Sequence, residues 1–432
     1  MTRDRRSLED HIREATRRQQ AGSSALTGRR VALPLRYWRQ TAHFTTPAGN
    51  EAMGRKAIEG GTAPMARILE RMGLSAGDVA ERLEADRDEV ERLLAAPRRA
   101  PLVMLDGEDA QALREDVVAH GLANVASLVA GADWSGGGPE TLRFYRPPGF
   151  ALGTTVRDLY TVMWPIAAAS PPGRFALDGI VFPKVDHPDE IGMLYDILDE
   201  GEAALGLSKG TIRVAFLIES GWAVAQLAEI AVRAASRACA LVFGLADYSA
   251  DLGLPGISTD HALASWARAE IVAVAGALGV PAIDGMTLDY PVSDPALNAA
   301  ANRERFLARM RLVYDDAIQA RDLGMTGKWV GHPAQLFAVL LAFDAAFAPA
   351  TLEVEAAKLA TYQAAVDEGR GATIIEGTMS DRATDRHARV LLRRATAHGR
   401  FAPGRALELG LIDGNELTEL IEASVLEGKS AS

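Results

Sequence analysis

Eight short apolar or β-branched runs punctuate this chain, at residues 41–46, 102–106, 141–145, 179–183, 212–218, 239–244, 281–286 and 327–331. Between them lie stretches such as AVAQLAEIAVRAASRA and ALASWARAEIVAVAGALG, whose apolar residues fall on one side at helical spacing. Strands that alternate with helices imply a parallel sheet, and eight such units predict closure into a (β/α)8 barrel of the TIM class. An open doubly wound sheet is the alternative. It is disfavoured because no glycine-rich phosphate loop follows the first run. Two segments break the alternation: helical sequence at about 65–98, inserted after the first strand, and charged helical sequence at 346–398 after the eighth. The expected layout is an N-terminal helical arm (1–38), the barrel (39–345), a C-terminal helical lid (346–398) and a peripheral helix with a frayed tail (399–432).

With 432 residues, 48% hydrophobic and 24% charged, the chain can bury one large α/β core and carry a smaller module. A formal charge of −11 argues against general nucleic-acid or membrane-surface affinity. The insertion contains GLSAGDVAERLEADRDEVERLLAA, a phrase like that of small helix-turn-helix modules. Residues 70–92, however, hold eight acids against four arginines, the wrong balance for gripping phosphates. A helical hairpin packed on the barrel or between subunits is the expectation. No apolar run approaches the roughly twenty residues that span a bilayer. The Arg-rich N-terminus carries Asp4, Glu9, Asp10 and Glu14, which does not suit a transit peptide. Cys239 is the only cysteine, so no intramolecular disulfide forms; a cytoplasmic setting is expected, with this thiol as a small buried apolar residue.

Polar groups collect at the carboxyl ends of the expected strands. Asp106, Glu108 and Asp109 follow strand two, Arg143 and Arg146 sit on or after strand three, Lys184 follows strand four, Glu219 ends strand five, Asp247 follows strand six, and Lys328 and His332 flank strand eight. Side chains at these ends converge on one mouth, the catalytic face of such barrels. Glu219 and Asp247 offer two hard oxygen ligands, and substrate oxygens with waters would complete the octahedron Mg²⁺ prefers. No His or Cys stands at zinc-like spacing from them. The competing reading is that each acid caps a helix or pairs with a nearby arginine. Covalent lysine chemistry is disfavoured because neighbouring acids oppose the depressed pKa a nucleophilic lysine needs. His332, beside a proline turn, is expected to be hydrogen-bonded there rather than to shuttle protons.

The phrases TPAGNEAMGRKA, MLDGEDAQ, LRFYRPPG, GIVFPKVDHPDEI, AFLIESGWAV, LVFGLADYSADLG, LGMTGKWVGHPAQ and EGTMSD, in that order, resemble the citrate lyase β-subunit/malyl-CoA lyase family of the HpcH/HpaI aldolase group. The resemblance implies a carbon–carbon lyase acting on a β-hydroxyacyl thioester of coenzyme A, giving an acyl-CoA and a small oxo acid. It implies Mg²⁺, with Mn²⁺ as the alternative ion, held by Glu219 and Asp247 and supported by Asp106, Glu108 and Asp109. Arg143 matches the arginine that holds the substrate carboxylate, with Lys184 and Gly244 also placed against the substrate. Asp381 matches an acid that a mobile lid, often a neighbouring subunit's, brings to the thioester α-carbon; a homotrimer or a multiple of it follows. The chain departs from the family's phrases at Tyr145, where Asn is usual, at Gly107, where Leu is usual, at Ser380, commonly apolar, and at Arg39, about two residues out of register. Rival functions are a malyl-CoA-type thioesterase, a metal-dependent pyruvate aldolase, and a catalytically silent binding or regulatory barrel.

Overall fold

Apolar and β-branched residues predominate in the eight runs, and each run pairs in parallel with the next: β1 (Ala42–Pro47), β2 (Leu102–Asp106), β3 (Leu142–Arg146), β4 (Gly179–Phe182), β5 (Arg213–Ile218), β6 (Ala238–Phe243), β7 (Ala282–Asp284) and β8 (Gly327–Val330). β1 also pairs with β8, with Ala42 opposite Lys328 and Phe44 opposite Val330, so the sheet closes. The expected (β/α)8 barrel is what this computed structural model contains, and it describes residues 5–27, 30–112, 114–131, 141–170, 175–375 and 377–421. The tail at 422–432 and residues 1–4 and 28–29 of the expected arm lie outside the described residues; the arm's helix runs Arg5–Thr27.

Strand side chains alternate between two environments, and that alternation decides everything at the mouth. Leu102, Met104, Leu142, Phe144, Val181, Ala215, Leu217, Ala240, Val242 and Ile283 share the cluster that fills the barrel. Val103, Leu105, Tyr145, Ile180, Phe182, Val214, Phe216, Leu241 and Phe243 belong to the cluster formed with the surrounding helices. Cys239 is buried in the inner cluster, where burial pushes its thiol up and leaves it unreactive.

A 3₁₀ turn, Leu35–Arg39, plugs the amino-terminal end. The Tyr37 hydroxyl donates to the Asp178 carbonyl (3.0 Å), and the Gln40 amide donates to the Cys239 carbonyl (3.0 Å), tying β1, β4 and β6 at the floor. The C-terminal region docks beneath this plug. Leu35 joins Phe347, Leu352, Leu359, Leu392, Phe401 and Ile412 in one cluster, and Arg39 Nε donates to the Ala397 carbonyl at 2.7 Å. Helices Pro349–Asp367 and Arg382–Ala397 flank a short antiparallel hairpin, β9 (Thr373–Ile375) and β10 (Thr378–Ser380). The region expected as a lid is therefore anchored, within one chain, at the end of the barrel opposite the mouth. Its helices were legible; their placement was not, because the anchoring contact comes from Leu35, far away in sequence.

The insertion forms three short helices, Pro64–Met72, Ala76–Leu83 and Arg87–Ala95. Ser75 and Asp78 make a reciprocal capping box at the second, and Gly73 ends the first in the left-handed region (φ 64°). These helices pack on Ala299–Leu323 and Pro333–Asp344. Helix Pro333–Asp344 explains why they exist. Its sequence PAQLFAVLLAFD is apolar all round, and every residue from Ala334 to Asp344 is buried. A helix apolar on all sides must be covered on all sides. Met65, Ile68, Leu69, Val79, Leu83, Val90 and Leu93 supply the outer cover. Arg82 to Glu304 and Arg311 to Glu84 (2.8 and 3.0 Å) close the edges. The segment Pro333–Asp367 is long and apolar enough to cross a membrane on composition alone, contrary to the expectation that no run approaches that length. Its most apolar window is 56% buried inside the fold, as a core helix would be.

The insertion thus completes the core. Truncating its buried Leu83 (Leu83→Ala) should cost about 2–5 kcal/mol, read as a lowered urea midpoint, with the mouth's ligand binding retained under native conditions. A midpoint within error of the parent would show the insertion to be peripheral.

Candidate active site

The mouth is assembled from strand ends that face inward. On β2, Asp106 has the same parity as Leu102 and Met104; on β3, Arg146 has the same parity as Leu142 and Phe144. The register pairs Asp106 directly with Arg146. Arg146 Nε and Nη2 donate to the two Asp106 carboxylate oxygens at 2.7 and 2.6 Å, a bidentate clamp. Its remaining nitrogen, Nη1, lies 3.1 Å from Glu108 and 3.2 Å from Asp109. The guanidinium also stacks over Trp329, whose indole N–H donates to the Thr45 hydroxyl. Arg146 is only 4% exposed, so its charge is fully committed to these acids. Burial works against that charge, but Asp106, Glu108 and Asp109 more than offset it and hold the guanidinium firmly protonated.

The acidic loop after β2 lies over this arginine. Gly107 N–H donates to the Arg146 carbonyl at 2.9 Å, and Glu108 N–H to Asp106 Oδ1 at 3.0 Å. A Cβ on Gly107 would meet the Tyr145 ring and hydroxyl at 2.8 Å, so the two departures from the family's phrases accommodate each other: the tyrosine fills space that a leucine would need. The next helix begins at Glu115, so these acids do not cap it. Burial pushes Glu108 up; for Asp109 burial acts the same way, but Arg146 and Lys184 together hold it down.

Lys184 crosses the mouth. Its backbone adopts φ +54°, an unusual conformation for a side chain bearing Cβ. That turn lets its N–H donate to Glu219 Oε1 at 2.8 Å while its ammonium reaches Glu108 (2.9 Å), Asp109 (3.3 Å) and Asp247 (3.6 Å). Glu219, at the end of β5, is 4% exposed. Burial first, and then the charge of Asp247, push its carboxyl up to about 8, partly countered by Arg146 and Lys184. Asp247, in the first turn of helix Leu245–Asp251, is half-exposed. Gly244 makes room between them: a Cβ there would sit 2.5 Å from the Glu219 Cβ.

Of the expected site residues, Glu219, Asp247, Asp106, Glu108, Asp109, Lys184 and Gly244 therefore come together. Arg143 does not. It has the parity of Val103 and Tyr145, outside the barrel, with its N–H donating to Asp178 (2.8 Å) and its guanidinium to the Ala176 carbonyl (3.3 Å) near the floor. Burial, then the nearby Arg36, pull it down to about 9. The arginine at the mouth is Arg146, three residues on and of opposite parity. Counting alternation from Leu142 would have found it. Lys328 likewise faces outward, donating to Asp284 (2.7 Å) and paired with Asp316 (2.8 Å) against the outer helices. His332 accepts from the Ala334 N–H and caps helix Pro333–Asp344, as expected, and burial pulls it down to about 4. Asp381 is an exposed helix cap, accepting from the Ala383 and Thr384 N–H groups (2.8 and 3.1 Å), bonds that hold its carboxyl low. Those contacts stay within its own capping box, so the chain does not bring Asp381 to its own mouth.

The donor set at the mouth suits a hard divalent ion. Its ligands are carboxylate oxygens without nitrogen or sulfur, and burial makes a lone charge on Glu219 costly unless a cation shares it. Among the described residues no group of three or more His, Cys, Asp or Glu forms a ready metal cage, so protein ligands would number two and leave positions for substrate and water.

Residues 165–305 match the family model of HpcH/HpaI aldolase/citrate lyase. An L-malyl-CoA/β-methylmalyl-CoA lyase of Rhodobacter capsulatus is 31% identical over 241 residues, covering 52% of this chain and 69% of that protein. The chain belongs to the HpcH/HpaI aldolase/citrate lyase family. A lyase of the same name from Cereibacter sphaeroides is 28% identical over 320 residues, covering 69% of this chain and 89% of the relative. The crystal structure of a citrate lyase from Burkholderia xenovorans matches the fold with TM-score 0.54 and 24% identity, over 75% of this chain and 91% of that one. Aldolases and citrate lyases are carbon–carbon lyases, and this family member is an enzyme of that kind.

The environment of Glu219 carries a signed consequence. Its carboxyl titrates near 8 when folded against about 4.5 when unfolded. Below the lower value both states are protonated and nothing is lost. Between the two the unfolded chain sheds a proton the folded one keeps, so stability falls as pH rises. In chelator, Glu219→Gln should match the parent's melting temperature near pH 4.5 and gain on it progressively up to about pH 8, with a constant gap above. A gap independent of pH would refute the assignment.

Proposed function

We propose that this family member is a divalent-metal-dependent lyase for a β-hydroxyacyl-CoA of the malyl type, run reversibly as an aldol or Claisen-type cleavage that yields an acyl-CoA and a small oxo acid. The observation that carries the reading is the convergence of Glu219 and Asp247 at the carboxyl face of the barrel, bridged by Lys184. The names of the related proteins, L-malyl-CoA/β-methylmalyl-CoA lyases, support the substrate class. Mg²⁺ is the proposed ion, with Mn²⁺ as the other hard ion such an oxygen set accepts. Bound there, it would polarise substrate oxygens as a Lewis acid, worth several kcal/mol.

The chain's own residues do the rest. Arg146 clamps Asp106 and fixes the Gly107–Asp109 loop, which would keep Glu108 and Asp109 at hand to accept hydrogen bonds from water on the ion. Gly244 keeps the approach to Glu219 open. For proton exchange at the thioester α-carbon the proposal uses Asp381 of another copy, because the chain anchors its own C-terminal helices at the opposite end of the barrel. A homo-oligomer, a trimer or a multiple of it, goes with that proposal.

The decisive assay incubates the protein with malyl-, methylmalyl- and citramalyl-CoA, with and without Mg²⁺, and identifies the products. A shorter acyl-CoA plus an oxo acid, formed only with the metal, is expected. Free CoA plus the intact hydroxy acid would mark a thioesterase instead, and no turnover of any ester would favour a silent barrel. Complementation tests the shared site: Asp381→Asn and Glu219→Gln should each abolish turnover, the first with Mg²⁺ affinity intact, and co-refolded mixtures of the two should regain a measurable fraction of activity. Mixtures as inactive as their parents would place the proton-transfer acid elsewhere.

A further inference from the structure

A substrate that carries a carboxylate must meet a cation at this mouth, and the structure leaves few to choose from. Among the described residues, the cations touching the mouth acids are Arg146 and Lys184. Arg146 is buried with all three guanidinium nitrogens engaged, two of them in the Asp106 clamp. Taking it from these partners would strand buried carboxylates, which is the expensive direction. Arg143, which the family's phrases suggest for this role, faces away from the barrel interior. His332 is pulled down to about 4 and holds a helix terminus.

Lys184 differs in each respect. Its side chain is 38% exposed, on a flexible stem, and its ammonium lies at three separations of 2.9–3.6 Å from Glu108 and Asp109 on the loop after β2 and from Asp247 in the first turn of helix Leu245–Asp251, none of them a bidentate clamp. The contacts with Asp109 and Asp247 are half-exposed pairs of the kind that are weak and exchange readily, and the buried Glu108 keeps Arg146 at 3.1 Å when the ammonium leaves. One of the three, Asp247, is also a proposed metal ligand. Resting on the lyase reading above, we infer that Lys184 is the specificity-determining anchor for the substrate's carboxylate: without substrate its ammonium neutralises Asp247 and the Glu108–Asp109 loop, and when a divalent ion takes Asp247 the ammonium turns to the incoming carboxylate. The unusual backbone at Lys184 fits that dual task. It fastens the main chain to Glu219, so the side chain can swing without moving the metal ligand.

The test uses the full-length protein and calorimetry rather than turnover. At saturating MgCl₂, glyoxylate is titrated into the parent, Lys184→Met and Lys184→Arg, alongside its uncharged methyl ester; MgCl₂ itself is titrated into each protein separately. The parent should prefer glyoxylate to the ester. Lys184→Met should bind glyoxylate about 10- to 100-fold more weakly, the loss expected for one charge-assisted contact, and should lose the preference over the ester. Its Mg²⁺ affinity should be equal or tighter, because a competing cation has gone. Lys184→Arg should recover part of the preference. A Lys184→Met protein that keeps the preference overturns the inference while leaving the lyase reading intact. Mg²⁺ and glyoxylate binding lost together also overturns it, by showing that the lysine merely holds the acids in place. A parent that binds neither glyoxylate nor its ester sinks the lyase reading and this inference with it.

Discussion

The two-residue alternation of a parallel strand, imposed on a closed barrel, is the constraint on which this molecule depends. Closure leaves each strand residue one of two fates: the inner cluster or the layer of helices. The charged groups of the mouth sit on the inner side at the carboxyl end, above the plug of Leu, Met, Phe and Val side chains. Asp106, Arg146 and Glu219 occupy that end because each is two or four residues from an inward apolar neighbour, Met104, Phe144 and Leu217. The same rule sends Arg143 and Lys328 outward into ion pairs and carbonyl contacts that serve packing.

Above that layer the mouth is an electrostatic balance between acids and two cations of different character. The buried Arg146 behaves as structure. Its clamp on Asp106 fixes the loop bearing Glu108 and Asp109, and removing either partner would leave an uncompensated charge in a poorly solvated place. The half-exposed Lys184 behaves as an adjustable charge. Glu219 lies between these regimes: buried enough to resist ionisation, placed so that a divalent ion would relieve it.

The surroundings follow from the same logic of cover. The helix Pro333–Asp344 is apolar on every side, and the three inserted helices exist to close its outer face. Their acidic surfaces, which argue against nucleic acid, are also where Glu84 meets Arg311 of the barrel helix. The C-terminal hairpin and helices are held under the barrel by Leu35 and Arg39, so a role for Asp381 at a mouth requires a second copy of the chain.

All eight strands could be read from the sequence to within a residue or two, because apolar runs separated by helix-period segments are a local signal. The convergence of Glu219 and Asp247, the proposed metal ligands, was legible for a related reason: each closely follows such a run, and its phrase carries the family resemblance. The arginine was misplaced by resemblance to LRFYRPPG, where two arginines three residues apart compete and only strand parity separates them. What the sequence determined by itself was the order of elements and the chemistry available at each strand end, since both depend on neighbours along the chain. What only the tertiary structure decided was which charges face one another across the barrel and which end the C-terminal helices cover, since the first depends on contacts between residues 35 to 75 positions apart and the second on a contact spanning 358.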